Sequence, residues 1–427
     1  LKYDLLIVTP KAFLEPMRRL ADWKIRTGLS TGILTLEDAY RMCTGRDTPE
    51  QVKRCLSLYQ QRSGIRFAML VGGAGQFPVR FYMLDIVDET AHHNIYYYPA
   101  DLYYADLYKA DGSFDDWNAN GNDEFGELVC PGILNVDQAD ANPDISVGRV
   151  PVFSMDEAET YVDKVIRYET GARGSDWVKR ALLIVTGGLF PDDCKYEEKI
   201  VSLFPSGYEF VRLYNSDNTC QTTPAITVDN IIAELNKGVG LVSFLGHGTF
   251  YLWADALSVK DFDNLHNADK LPVVFSGGCN TGNFTAIAPS GAYTDINGVD
   301  HAEGEKFTST PPPPAPLQGK YNVEGIMKET LVQMPHGFSA YIGAVTFGEF
   351  GPMFELNEYF LTGIAKGEPT VGEAWNFAVR TLYQTPYVPE TNKPDPTMAL
   401  ARFAQPWKFS LFGDPSLRLD GAAGQKS

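Results

Sequence analysis

The chain has 427 residues, of which 44% are hydrophobic and 12% aromatic. That is enough to bury a substantial core, and it excludes a disordered chain. Acidic residues outnumber basic ones 54 to 36, for a net charge of −18; this speaks against nucleic acid as a partner and favours cations, either metal ions or basic side chains of a substrate.

Strand-like apolar runs at 4–9, 67–72, 145–149, 181–186, 240–245, 272–276 and 338–345 alternate with helical patterns at 11–27, 49–63, 156–170, 194–204, 227–237 and 323–334. Near-continuous apolar strands separated by amphipathic helices predict an α/β fold with a mainly parallel sheet covered on both faces. The first strand begins almost at once, with no leader-like segment before it, so the expectation is a mature or trimmed form. No apolar run has the length of a transmembrane helix. A break at 171–177 divides an α/β unit at 1–172 from a second at 173–420, and 421–427 reads as a flexible tail. Residues 285–322 show no periodicity and include Pro311 to Pro314; so long a connection predicts a functional or mobile loop.

The six cysteines, Cys43, Cys55, Cys130, Cys194, Cys220 and Cys279, form no CxxC pair, which argues against a zinc ribbon or a thioredoxin-like site. Cys43–Cys55 and Cys194–Cys220 are candidate disulfides; full reduction is the alternative.

Residues 116–127 fit the pattern D-x-[DN]-x-[DN]-G-x5-E through Asp116, Asn118, Asn120, Gly121 and Glu127. Calcium takes six to eight oxygens; alternate side chains supply them, and the glycine permits the sharp turn. Asn122 would add its carbonyl and Glu127 a bidentate carboxylate. The flanks are loop-like and Pro131 follows, so the expectation is a structural Ca²⁺ loop without EF-hand helices.

The run 240–245 is followed by Gly246-His247-Gly248, and 272–276 by Gly277-Gly278-Cys279-Asn280. Ligands bind beyond the carboxyl ends of parallel strands. If these strands are neighbours, one rim gains a thiol and a base, the requirement for a nucleophilic cysteine. The N–H groups of Gly248 and Cys279 would form the oxyanion hole.

Leu245-Gly-His-Gly-Thr249, followed by 271–284 (LPVVFSGGCNTGNF), resembles the catalytic core of gingipain-type cysteine peptidases of the caspase-like clan. Segments 22–29, 68–73, 145–149 and 409–417 match the same family, in the same order. The resemblance implies a caspase-like α/β/α sandwich of two subdomains with mainly parallel sheets, and an active site in the second. It implies His247 as general base and Cys279 as nucleophile. Where gingipains carry an acid just before Gly-Gly, this chain has Thr186; a threonine orients an imidazole but supplies no charge, so the sequence identifies a dyad only. The resemblance also places Asp193, or its neighbour Asp192, where gingipains pair an acid with a basic P1 side chain, and it puts Trp253 and Phe350 beside the pocket. The bland readings are a helix N-cap for the aspartates and core positions for the aromatics.

The expectation is thus an extracellular or cell-surface cysteine endopeptidase cleaving protein or peptide substrates after Arg or Lys, with a monomer as the working state. The alternatives are a sortase-like transpeptidase and a non-catalytic binding module on the same fold. Lys306 and Lys320 are the only Lys or Arg residues of 285–322, so self-cleavage there after arginine is excluded.

Overall fold

A computed structural model describes residues 2–130, 134–188, 192–215, 220, 224–307, 324–388 and 396–419. Ten strands make one sheet: β1 (Leu5–Thr9), β2 (Thr31–Thr35), β3 (Phe67–Val71), β4 (Ser146–Val150), β5 (Arg180–Val185), β6 (Glu209–Tyr214), β7 (Leu241–Leu245), β8 (Val273–Gly277), β9 (Ala340–Ala344) and β10 (Phe409–Phe412). Their spatial order is β6-β5-β7-β8-β9-β10-β4-β3-β1-β2. Every pairing is parallel except β9 with β10. The central strands are buried end to end, as in Leu5–Val8, Ala68–Val71 and Leu182–Val185. Strands covered on both faces need apolar residues at every position, which is why these runs lack alternation.

Helices close both faces: α1 (Leu14–Arg26), α2 (Leu36–Met42), α3 (Thr48–Ser63), α4 (Met155–Gly171), α5 (Cys194–Val201), α6 (Val228–Lys237), α7 (Phe350–Ala365) and α8 (Val371–Gln384). Asp47, Ser154, Thr227 and Thr370 cap α3, α4, α6 and α8 by accepting from backbone N–H groups three residues on. Each such cap contributes about 1 kcal/mol.

The two α/β units expected from the sequence share this one sheet. Strand β10 pairs with β9 of the second unit and, through Phe412 opposite Arg149, with β4 of the first. Lys24 of α1 is buried and ion-paired to Glu169 of α4 and to Asp414, just beyond β10. Arg149 grips Asp101 with two bonds of 2.7 Å, both side chains buried. Strands β2, β6 and β10 and helices α2, α7 and α8 are additions to the elements read from the sequence. Strand β6 is a half-exposed edge with charged residues, β2 contains a glycine, and β10 has four residues, so each gives a weak pattern.

Cysteines 43 and 55 are joined, as are 194 and 220; Cys130 and Cys279 are free. The described part of the long connection, 285–307, forms a small hairpin, Tyr293–Thr294 with Asp300–His301. Its end docks on the first unit, where the Phe307 N–H donates to the Tyr97 hydroxyl at 2.7 Å. Lys320 and the proline run lie outside the described residues. Among the described residues no helix is long and apolar enough to cross a membrane.

Candidate active site

Strands β7 and β8 are adjacent and in register, with Leu245 opposite Gly277. His247 and Cys279 each follow two residues later, so the pairing brings both to the same rim, as the sequence predicts. The Gly246 N–H donates to the Gly277 carbonyl at 3.1 Å and holds the two exits together. A Cβ on Gly248 would lie 3.2 Å from Gly278 Cα and 3.3 Å from the Cys279 carbonyl oxygen. The backbone beside the histidine therefore touches the backbone of the nucleophile, an approach that only glycine allows.

The turn carrying Cys279 is fixed from below. The Thr281 hydroxyl donates to the Gly278 carbonyl at 2.9 Å and accepts from the Ser276 hydroxyl at 2.8 Å. Asn280 has φ +60°, a left-handed conformation that asparagine tolerates better than most residues. Its N–H donates to the Thr346 carbonyl at 2.8 Å. The Cys279 sulfur points to the Gly348 carbonyl at 3.8 Å, and the thiol is half-buried. The Cys279 N–H has no acceptor among the described residues and is available to an oxyanion.

His247 is exposed at the rim. Its ring meets Phe350, the first residue of α7, edge-on at 5.4 Å between centroids. Among the described residues no carboxylate lies within ion-pair distance of the imidazole. Thr186 is buried, its N–H donates to the Leu245 carbonyl at 3.1 Å, and its hydroxyl packs against Gly246, where a Cβ would meet it at 2.1 Å. It supports the backbone just before the histidine and brings no charge. The loop after β9 is the part of the site that sequence reading missed. Gly348 contacts the Cys279 sulfur through its carbonyl, and Lys408 lies buried just before β10. Burial pushes the Lys408 ammonium below its usual range, and the charges of Glu349 and Cys279 oppose that shift. No spacing rule would have found Lys408, because β10 is distant in sequence and its place beside β9 is set by the sheet.

Of the pocket residues, Trp253 is not at the surface. It is 1% exposed, stacked on Phe244 and Phe338, with its indole N–H on the Tyr341 hydroxyl at 3.3 Å. The short hairpin after His247 folds it back into the core, which matches the core reading of this position and not a surface pocket wall. Asp192 is half-buried and ion-paired with Lys195 at 2.6 Å. Asp193 is fully buried at the start of α5, next to the Cys194–Cys220 bridge, and makes no cap bond to its own helix. One turn later Glu197 bonds Ser243 of β7. Helix α5 returns antiparallel to the sheet, so one turn back along it moves Asp193 toward the His247 end of β7.

The chain matches the model of the peptidase family C25 over residues 1–420. It belongs to that family. Family C25 is one of cysteine-type peptidases, and the gingipain resemblance read from the sequence stands with it. Gingipain R2 of Porphyromonas gingivalis (strain ATCC BAA-308 / W83) is 23% identical over 295 residues, which is 67% of this chain and 33% of the relative. Gingipain R1 of the same organism is 23% identical over an equal span, 24% of its length. The chain thus spans a third or less of the length of these relatives. Among solved structures, the complex of Porphyromonas gingivalis RgpB pro- and mature domains has a TM-score of 0.65 at 17% identity, covering 97% of this chain and 79% of that one. The Arg specific cysteine proteinase gingipain R has a TM-score of 0.64 at 17% identity, over 98% and 78%. The fold is the caspase-like α/β/α sandwich.

The 116–127 loop has no flanking helices; strand Leu128–Cys130 follows it. Asn120 and Asn122 both direct their amides to Glu127 Oε2, at 2.5 and 3.0 Å, and Asn118 reaches the Asn122 carbonyl at 2.5 Å. Asn118 Oδ1 is buried without a donor. Four of the five expected ligands are thus linked to one another, through amide N–H groups on Glu127 and on the Asn122 carbonyl, and one of them, Asn118, keeps an acceptor oxygen without a partner. The fifth, Asp116, is held by Arg46 at 3.0 Å. This donor set fits a calcium ion. Beside it, carboxylate oxygens of Asp106, Asp115 and Asp140 lie within 4.8 Å of one another.

Proposed function

We propose that this chain is a gingipain-type cysteine endopeptidase that cleaves after a basic residue. The observation carrying this reading is the in-register pairing of β7 and β8, which sets His247 and Cys279 on one rim with a free N–H at the nucleophile. In this reaction His247 takes the Cys279 proton as the sulfur attacks the scissile carbonyl. The oxyanion forms against the N–H groups of Gly248 and Cys279, and the same proton passes to the leaving amine. Water, deprotonated by His247, then splits the thioester and restores the thiol. Proximity and the oxyanion donors supply most of the acceleration, because among the described residues no acid is paired with the imidazole.

Asp193 is the residue we assign to the P1 side chain, as a buried carboxylate that forms a charge-assisted bond with Arg or Lys. Its burial at the rim end of α5 and the Arg specificity of the structurally similar gingipain R support that assignment. Two disulfides suit an extracellular or cell-surface location. Calcium in the 116–127 loop is proposed as structural, held by Asn118, Asn120, Glu127 and the Asn122 carbonyl. Chelation is then expected to lower the melting temperature, and calcium to restore it; equal melting curves in chelator and in calcium would remove the ion from the account.

The test of function is a fluorogenic peptide library varied at P1. Wild type is expected to prefer Arg or Lys, Cys279→Ala to be inactive, and Asp193→Asn to lose the basic preference while retaining the fold. Activity that survives Cys279→Ala would refute the reading.

A further inference from the structure

Three aromatic side chains on the loop after His247 and on the loop that holds the Cys279 turn stay in water. Phe347 is 60% exposed, Phe250 41% and Tyr251 45%. Phe347 sits between the two carbonyls that hold the nucleophile: Thr346 accepts from Asn280 at 2.8 Å, and Gly348 accepts from the Cys279 sulfur at 3.8 Å. Its backbone therefore cannot drift from the reacting atom. The loop is also pinned from behind. The Glu349 N–H donates to Gln405 Oε1 at 3.1 Å, and a Cβ on Gly348 would meet Gln405 and Met353 at 3.3 Å. On the histidine side, Phe250 and Tyr251 follow His247 by three and four residues and pack edge to face at 5.0 Å. The Phe250 carbonyl accepts from the Ile326 N–H at 2.8 Å, which anchors that turn as well.

Scattered exposed apolar residues need no explanation. Here, however, three exposed aromatics stand on anchored backbone, two just after His247 and one between the carbonyls that hold the Cys279 turn. We propose that Phe347, with Phe250 and Tyr251 on the opposite wall, forms an apolar subsite for a bulky side chain flanking the scissile bond. This inference rests on the peptidase reading and extends it. The substrates it selects are extended polypeptide segments carrying a large aliphatic or aromatic residue next to the cleaved position. Rigid aromatics suit this role because they lose little conformational entropy when covered. The occupant is a substrate side chain because one wall belongs to the loop that carries His247 and the other to the loop whose carbonyls hold the Cys279 turn.

The experiment compares peptides that share P1 and differ only at P2 or at P1′, with Leu or Phe against Gly or Asp. Wild type is expected to favour the apolar residue by about 10-fold or more in kcat/KM at one of these positions. Phe347→Ala should reduce that ratio to about 2-fold, while Phe347→Leu retains most of it. The same ratio is read without turnover from the rate at which peptidyl acyloxymethyl ketones of both series alkylate Cys279. A wild-type ratio near 1 at both positions, or one unchanged in Phe347→Ala, overturns the subsite and leaves the peptidase reading intact. A Cys279 inert to every reagent and substrate overturns both.

Discussion

Alanine at position 248 would place its methyl group 2.6 Å from Thr281 Cγ2, with Gly278 Cα at 3.2 Å and the Cys279 carbonyl oxygen at 3.3 Å. Carbon atoms in contact prefer about 3.5–4.0 Å, so the two loops must part by about 1 Å. Thr281 cannot yield, because it is 1% exposed and its hydroxyl is fixed to Ser276 and Gly278. The displacement falls between the base and the nucleophile. A misplacement of that size costs about 10²-fold, or about 2.7 kcal/mol of barrier. Gly248→Ala should therefore reduce kcat about 100-fold on a fluorogenic peptide with a small change in melting temperature. Thr281→Ser deletes the clashing methyl and keeps the hydroxyl, so the double variant should recover most of the loss. Full activity in Gly248→Ala, or a loss that Thr281→Ser does not relieve, would refute the proposed close packing of the two exits.

Burial holds the Glu197 carboxyl at about 7, against 4.5 for the free group; its bonds to Ser243 and Asn357 only partly offset this. A carboxyl whose folded value is raised stabilises the fold fully below about 4.5, and that contribution is lost as pH rises through about 7. The difference amounts to about 3 kcal/mol by pH 8. Denaturant melts should show Glu197→Gln flattening this dependence between pH 5 and 8; parallel curves for the two proteins would refute it. Asp101→Ala leaves the Arg149 guanidinium buried and unpaired, which should cost about 3–5 kcal/mol in the same melts. A loss below about 1 kcal/mol would mean that water reaches that cation.

The sheet was legible where strands are buried on both faces, since a run such as Leu182–Val185 has no other use for its apolar residues. The shared rim of His247 and Cys279 was legible because each follows an apolar strand run with glycines beside it. Trp253 was misplaced because a six-residue offset does not reveal which way a hairpin turns. Phe350, in contrast, does meet the histidine ring. The wall formed by Thr346 to Gly348, and Lys408 behind it, stayed hidden because β9 and β10 approach Cys279 through sheet order alone. The single sheet was hidden for the same reason: the four residues of β10 join halves that composition reads as separate.

The most direct test is the chemistry of Cys279 itself. Wild type, His247→Ala and Cys279→Ala would be incubated with a peptidyl acyloxymethyl ketone bearing a basic P1, and the adducts mapped by mass spectrometry. The account predicts one adduct, on Cys279, forming at least about 10²-fold more slowly in His247→Ala and absent in Cys279→Ala. An adduct on Cys130 or on another side chain, or equal rates with and without His247, would contradict it.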